Sequence, residues 1–188
     1  MRPVERREIL DYVSYSERRD ALRPDAIRAK ELRRVELGDA FTFLFENRDT
    51  VRYQVHEMLR TEKIVREADI QHELSTYNEL LGKEGELGCT LLIGIDDPGL
   101  RAERLVAWRA LPEHLYVRLA DGVLVRARFD PRQVGTDRLS SVQYLWFAVG
   151  REAPLAVGCD LPGFPLEREV PAEVRVALAA DLADDAAP

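Results

Sequence analysis

The hydrophobic period of this chain changes from two residues to 3.6 residues at Asn47. In the run from Phe41 to Phe45 a phenylalanine occupies every second position, which is typical of a strand with a buried face. Over 47–63 the apolar residues return at helical spacing, and 66–81 repeats that pattern. Because the connection between the two segments is short, the sequence predicts an antiparallel helical hairpin that directly follows a strand.

The remainder of the chain is dominated by strand-like runs. They lie at 87–95, 115–119, 122–130, 141–150 and 154–159. The dipeptide Asp121-Gly122 predicts a hairpin between two of them, and helices are predicted at 101–110 and 171–182. Because strands and helices do not alternate strictly, we expect an α+β fold, a mostly antiparallel β-sheet covered by a helical hairpin, with an N-terminal helical arm and a C-terminal helix.

The domain organisation follows from these elements and from the chain length of 188 residues. We expect an N-terminal helical arm over 1–34, a single α+β domain over 35–183 and a frayed acidic tail over 184–188. The arm is predicted to contain two helices, 4–15 and 24–34, the second opened by Pro24. Its apolar seam is narrow, so the arm should dock onto the main body or onto a second subunit of a homodimer.

The charge and the hydropathy of the chain exclude several classes of protein. A net charge of −7 has the wrong sign for a nucleic-acid binder. The apolar runs fall far short of the roughly 18 residues that cross a bilayer, and the first 34 residues lack the apolar core of a secretory signal. We therefore expect a cytoplasmic protein. Cys89 and Cys159 are far apart in sequence, which favours buried, unpaired thiols.

No motif in the sequence predicts a cofactor. There is no glycine-rich dinucleotide or phosphate loop, no nucleophile elbow and no zinc-protease helix motif. The densest polar block, Glu46-Asn47-Arg48-Asp49-Thr50, stands where the strand passes into the helix. Asn47 or Asp49 could simply cap that helix while Arg48 pairs with a neighbour. The alternative is a binding site, because strand-to-helix junctions direct backbone donors and side chains to one point.

Two glutamates in the hairpin occupy unusual positions. On a helical wheel that begins at Val51, Glu62 lies at about 20°, in the middle of the apolar stripe, and Glu73 lies on the shoulder of the next stripe. A buried carboxylate needs an arginine, a proton or a metal ion. Structural pairing would use one of four arginines, Arg48, Arg60, Arg66 and Arg138. The alternative is a carboxylate/histidine metal site, although His56 and His72 lie on wheel positions away from the stripes.

Two blocks of the hairpin, Phe45–Glu62 and Glu73–Asn78, resemble a bacterial family catalogued as a domain of unknown function, number 3501. The likeness continues through 86–91, 141–147 and 175–182 and so covers nearly the whole chain. Where family members tend to have Asp-His-Pro, this chain has Asp160-Leu161-Pro162. The residues of this chain that match positions of the family motif are Glu46, Asn47, Arg48, Asp49, Gln54, Glu57, Glu62, Glu73, Tyr77 and Asn78.

The resemblance implies no established activity. Family members are often encoded near rubrerythrin-like proteins and iron–sulfur/flavin oxidoreductases, which implies a role in redox or peroxide-stress metabolism. We therefore expect a non-catalytic accessory or binding protein that holds such an oxidoreductase or a small ligand near Glu46–Asp49. The alternative is a metal-binding protein or metalloenzyme that uses Glu57, Glu62 and Glu73 with His56 or His72.

Overall fold

The computed structural model describes residues 1–184 and contains six α-helices and nine strands within that range. The helices are α1 (Tyr12–Glu31), α2 (Arg48–Glu62), α3 (Glu67–Asn78), α4 (Pro98–Ala107), α5 (Leu111–His114) and α6 (Ala172–Asp184). The strands are β1 (Arg34–Leu37), β2 (Phe41–Phe45), β3 (Glu86–Ile93), β4 (Leu115–Arg118), β5 (Leu124–Arg126), β6 (Arg128–Phe129), β7 (Val142–Ala148), β8 (Ala156–Leu161) and β9 (Phe164–Glu169).

The strands form two antiparallel sheets, with the orders β1-β2-β3-β7-β6 and β5-β4-β8-β9. Alternate side chains of both sheets point to a shared core, as the pleat of a strand requires. Phe43 on β2, Leu91 on β3, Phe147 on β7 and Val157 on β8 are fully buried there. Helix α6 closes one side of this main core through Val174, Leu178 and Leu182.

A second, separate apolar cluster belongs to the helical hairpin. Val51, Val55 and Leu59 on α2 pack against Ile70 and Leu74 on α3. The segment before α1 adds two further buried side chains, Val4 and Ile9. The predicted amphipathic stripes of the two helices are thus buried against each other and against the N-terminal segment.

The hairpin rests on the outer face of the five-stranded sheet. The backbone after α3 passes so close to β3 that a methyl group on Gly88 would lie 1.8 Å from the carbonyl oxygen of Leu80. On β7, the indole N–H of Trp146 donates a hydrogen bond of 3.1 Å to the carbonyl of Glu79. Trp108, in contrast, lies in the main core, where its ring packs against Phe41.

The N-terminal region contains one long helix instead of the two predicted helices. Helix α1 begins after the capping residue Asp11 and runs through Pro24 to Glu31. A proline inside a helix leaves the carbonyl four residues earlier without a partner. Here both Pro24 and Asp20, which carries that carbonyl, are exposed, so water can satisfy the carbonyl oxygen. Packing of α1 along α2 therefore outweighs the unfavourable local propensity.

The α+β class, the antiparallel pairing and the helical hairpin are confirmed, with a glycine of positive φ at the predicted Asp121-Gly122 turn. The expectation of one sheet is wrong, because the strands divide between two sheets that share the main core. β9 was not expected from a segment that begins with Leu161-Pro-Gly-Phe-Pro165. Of the predicted tail, residues 185–188 lie outside the described residues. No helix within residues 1–184 has the length and apolar character to span a membrane.

Candidate functional site

Glu46 lies at the end of β2 and is only 7% exposed. Its carboxylate accepts hydrogen bonds from the hydroxyl of Thr90, at 2.6 Å, and from the hydroxyl of Thr50 on α2. The nearby Lys30 ammonium lies 4.8 Å above the ring of Tyr53, and burial lowers its pKa while attraction by Glu46 opposes that change. Glu46 is therefore a buried carboxylate whose oxygens are already satisfied by hydroxyl donors.

Asn47 caps α2 and also joins a buried ion pair. Its side-chain oxygen accepts the N–H of Thr50 at 3.0 Å, and its amide donates to Asp181 on α6 at 3.2 Å. Asp181 in turn receives two hydrogen bonds, of 2.7 and 2.8 Å, from the guanidinium of Arg33. Capping is thus one role of Asn47, and the other is to connect α2 to the C-terminal helix.

Arg48 and Asn78 hold the N-terminal segment in place. The guanidinium of Arg48 donates to both carboxylate oxygens of Glu8 at 2.8 Å and to the carbonyl of Pro3. The amide of Asn78 accepts the N–H of Val4 at 2.8 Å and donates to its carbonyl at 3.0 Å, as a neighbouring strand would. Both residues therefore serve the fold.

Glu57 is the most heavily engaged carboxylate of the hairpin. It accepts hydrogen bonds from the Tyr15 hydroxyl at 2.6 Å, from Arg19 at 2.8 and 3.1 Å, and from Arg60 at 3.2 Å. Although burial alone would raise the pKa of Glu57, these donors outweigh it and lower the pKa to about 2. Glu57 is consequently ionised and fixes α1 against α2.

Two further family positions form local pairs. The side chain of Gln54 hydrogen-bonds the hydroxyl of Tyr77 across the hairpin, where burial raises the pKa of that tyrosine. The carboxylate of Asp49, in the first turn of α2, accepts a hydrogen bond of 2.7 Å from Arg52. Asp49 also lies in a cleft between α1 and α2.

The expected burial of Glu62 is wrong. Glu62 is the last residue of α2 and is exposed, whereas Glu73 is half-buried, and within residues 1–184 neither carboxylate has a hydrogen bond or an ion pair. The wheel angle of Glu62 coincides with the apolar stripe, but the helix end extends past the surface that covers the stripe. No three acidic, histidine or cysteine side chains of the described residues are grouped in a way that could hold a metal ion.

His56 is buried, in contrast to its polar position on the wheel. Helix α1 covers this side of α2, so the imidazole is 5% exposed and stacks on Tyr15 at 4.6 Å between ring centroids. Its Nε2 accepts the N–H of Leu10 at 2.9 Å, while the other ring nitrogen bonds the backbone of Arg52. Burial is the main reason why the pKa of His56 is lowered to about 4. The ring is therefore neutral, with both nitrogens in use.

A cleft of about 540 Å³ opens between α1 and α2. Its walls are Glu8, Leu10, Tyr15, Arg18, Leu22, Asp25, Ala26, Asp49, Arg52, Tyr53 and His56. Leu22 and Ala26 lie one turn apart on α1 and, together with the ring of Tyr53, provide apolar surface in the cleft. Of the ten family positions only Asp49 lines the cleft, and His56, which the sequence offered for the alternative metal site, lines it as well. The spacing of Tyr15, Leu22 and Ala26 could have indicated this face of α1, but it crosses Pro24, where we expected a new helix.

Both thiols are buried and unpaired, as expected. Cys89 faces the main core, and burial raises the pKa of its thiol well above the usual value. Burial likewise raises the pKa of Cys159. Neither thiol is thus poised to react as a thiolate.

The family model described as Protein of unknown function (DUF3501) matches residues 3–182. This chain belongs to that family. A protein of Burkholderia pseudomallei K96243, whose crystal structure is described as that of a novel protein of unknown function, shares 29% sequence identity with it. The match covers 96% of this chain and 100% of that chain, with a TM-score of 0.88. No curated protein matches the chain.

The family positions have different roles in the structure. Asn78 bonds the N-terminal segment to α3. Five others make hydrogen bonds that hold α2 against its neighbours: Glu46, Asn47, Arg48, Gln54 and Glu57. Tyr77 receives one of these bonds, Asp49 borders the cleft, and Glu62 and Glu73 face solvent fully or in part. The polar residues of the hairpin thus build a rigid frame beside the cleft.

Proposed function

We propose that this chain is a non-catalytic binding protein whose ligand site is the cleft between α1 and α2. The observation that carries this proposal is the cleft itself. Its volume of about 540 Å³ falls within the range of small-molecule sites, roughly 300 to 1,000 Å³. Of its eleven wall residues six are apolar or carry rings and five are charged, so the cleft can contact both apolar and polar parts of a ligand.

The chemistry of the cleft walls supports binding over catalysis. The two nitrogens of His56 are occupied by backbone groups, so its ring has no free position for proton transfer. Glu8 is bound by Arg48, and Asp49 is bound by Arg52. These groups can shape and orient a ligand, but none is paired with a nucleophile that it could activate.

The physiological part of the proposal is an accessory role in redox or peroxide-stress metabolism in the cytoplasm. It rests on the family resemblance, whose members are often encoded near rubrerythrin-like proteins and iron–sulfur/flavin oxidoreductases. The unpaired, buried thiols are consistent with a reducing compartment. To test this part, the chain would be mixed with such oxidoreductases from its own genome and examined by sedimentation velocity. A complex at micromolar concentration is expected, and separate sedimentation of both proteins would contradict it.

The cleft is tested with a neutral aromatic probe, N-phenyl-1-naphthylamine, whose fluorescence rises in apolar surroundings. We expect one probe molecule to bind per chain. Ala26→Phe and Leu22→Trp place a large side chain in the cleft and should weaken binding tenfold or more. Ala21→Phe is the matched control, because Ala21 is exposed on the same helix and does not line the cleft. Equal binding by the filled and control variants would refute the proposed site.

A further inference from the structure

A second depression lies beside the first half of α6. It has a volume of about 480 Å³ and is bounded by α6, the loop before β8 and the turn after β4. Four alanines, Ala120, Ala153, Ala172 and Ala179, line it together with Leu155 and Val176. We refer to this depression as the α6 groove. Its lining is small and mostly apolar, so another backbone could approach it closely.

The groove side of α6 has no partner within residues 1–184. The opposite side of the helix is anchored in the main core by Val174, Leu178 and Leu182. Val176 projects from the groove side and is 71% exposed, more than any other large apolar side chain described as exposed. An apolar side chain of this size beside an apolar depression offers surface that an incoming group would remove from water.

The charge of the groove is opposite to that of the whole chain. The chain carries a net charge of −7, yet Arg151 and Arg175 border the groove. Both guanidinium groups are exposed, and neither has an ion pair or a side-chain hydrogen bond with residues 1–184. Glu152, the acidic residue of the lining, accepts the N–H of Ala120 at 2.7 Å and keeps its negative charge. Two arginines and one glutamate leave the lining with one net positive charge.

The backbone of the groove determines which form of partner it can take. Leu155 already donates its N–H to Arg118 and accepts the N–H of Val170, and the facing wall is a helix. An added strand would find no free row of backbone groups along this depression. A helix satisfies its own backbone and needs only an apolar stripe, which suits a floor of alanines with Leu155 and Val176.

We infer that the α6 groove binds an amphipathic, acidic helix of a partner protein. The apolar stripe of that helix would cover Val176 and the alanines, and its carboxylates would pair with Arg151 and Arg175. The α6 groove and the α1–α2 cleft share no lining residue, so this inference does not depend on the proposed small-molecule site.

The test uses a fluorescein-labelled model peptide of about 15 residues, long enough to form a helix, with leucine at i, i+3, i+4 and i+7 and glutamate on its other faces. Fluorescence anisotropy should show saturable binding to the full chain. Arg175→Glu and Val176→Glu should each weaken binding tenfold or more, whereas Arg168→Glu, an exposed arginine on β9 outside the groove, should leave it unchanged.

A second peptide, with lysine in place of every glutamate, distinguishes recognition of negative charge from nonspecific apolar binding. We expect it to bind at least tenfold more weakly than the acidic peptide. Absence of binding by the acidic peptide, equal binding of both peptides, or an equal loss in Arg168→Glu would each overturn the inference. Because the altered side chains are exposed, circular dichroism should show that all three variants keep the native fold.

Discussion

At the scale of single residues, His56 shows how a titratable side chain can serve the fold. The imidazole accepts a backbone N–H from the segment before α1 and stacks on Tyr15, so it joins that segment, α1 and α2. A second proton on the ring would remove the acceptor and place a positive charge in a buried site near Arg52. The arrangement therefore depends on a neutral ring.

The pH dependence of stability follows from this residue. The pKa of His56 is about 4 in the folded chain and 6.5 in the unfolded chain. Between these pH values only the unfolded chain therefore binds the proton. Stability should thus fall as the pH decreases from 6.5 to 4, at about 1.4 kcal/mol per pH unit and about 3 kcal/mol in total. Urea unfolding of wild type and His56→Gln at several pH values measures this contribution.

The control for that experiment is His72→Gln, since His72 is exposed on α3. It should retain the pH dependence of the wild type, whereas His56→Gln should be less stable at neutral pH and less sensitive to acid over this range. A wild-type acid response in His56→Gln would contradict the assigned role. Below pH 4.5 the wild type should lose further stability, because the unfolded chain then binds a proton at Glu57, whereas the pKa of about 2 keeps Glu57 ionised in the folded chain.

The residue scale also shows where sequence reasoning succeeds and where it fails. A helical wheel identifies the apolar face of a helix, and it correctly predicts that Val51 and Val55 are buried. It could not show that α1 covers a second face of α2, which buries His56. Nor could it show that Glu62, in the last turn of α2, lies beyond the surface that covers the apolar stripe. Both errors arise from the neighbours of the helix, which the local pattern does not contain.

At the scale of elements, helix α1 demonstrates that packing can override a proline. Pro24 is the thirteenth residue of a helix of 20 residues, far from the first turn, where proline is favourable. Pro24→Ala should therefore stabilise the protein by about 2 kcal/mol, a helix-interior gain of about 3 kcal/mol reduced by the greater freedom of the unfolded chain.

Thermal or urea unfolding measures this change, with Arg23→Ala as the neighbouring control that should alter stability by less than about 0.5 kcal/mol. The two-helix interpretation of the sequence makes the opposite prediction. If Pro24 opened a second helix, its replacement would be neutral or unfavourable. A destabilised Pro24→Ala variant would thus contradict the continuous helix.

The contact between the hairpin and the sheet depends on a position without a side chain. At Gly88 a methyl group would lie 1.8 Å from the carbonyl oxygen of Leu80, a backbone atom that cannot rotate away. Gly88→Ala should therefore cost more than about 2 kcal/mol of unfolding free energy. Gly94→Ala is the control, because nothing lies within 4 Å of the added carbon, and it should be nearly neutral. Similar stability of the two variants would contradict the close approach.

Comparison of the predicted with the observed strands shows which parts of the fold the sequence could predict. Long alternating runs such as 141–150 predict strands correctly, since their period is local. β9 was missed because Pro165 and Gly163 suggest a loop, although Pro165 lies in a strand at the edge of its sheet, where a missing N–H is tolerated. The division into two sheets depends on strand order, which no local pattern encodes.

At the scale of the whole molecule, a buried ion pair connects the segment between α1 and β1 to the C-terminal helix. Arg33 follows α1 and Asp181 lies in α6, 148 positions later, with both side chains about 10% exposed. The sequence predicted a buried carboxylate that needs an arginine, but it assigned this role to residues of the hairpin. A partner so distant in sequence could be identified only from the fold.

The pair can be tested with a double-mutant cycle in urea. Asp181→Leu and Arg33→Met should each cost about 3 to 5 kcal/mol, because each leaves a buried charge alone. The double variant should be markedly more stable than the sum of the two losses implies. The exposed pair Arg66–Asp69 is the control and should show a coupling below about 1 kcal/mol. Additive losses at Arg33 and Asp181 would contradict the pairing.

One tryptophan lies in the main core and the other lies half-buried on the outer face of the five-stranded sheet. Trp108 is enclosed with Phe41 and Phe164 between the sheets, whereas Trp146 lies beneath the hairpin with the Arg128 guanidinium 4.7 Å from its ring. Since the chain has two tryptophans, replacing either one leaves a single intrinsic fluorophore at a known location. Stopped-flow fluorescence of the two single-tryptophan variants would then measure separately the rate at which the hairpin leaves the sheet and the rate at which the two sheets come apart.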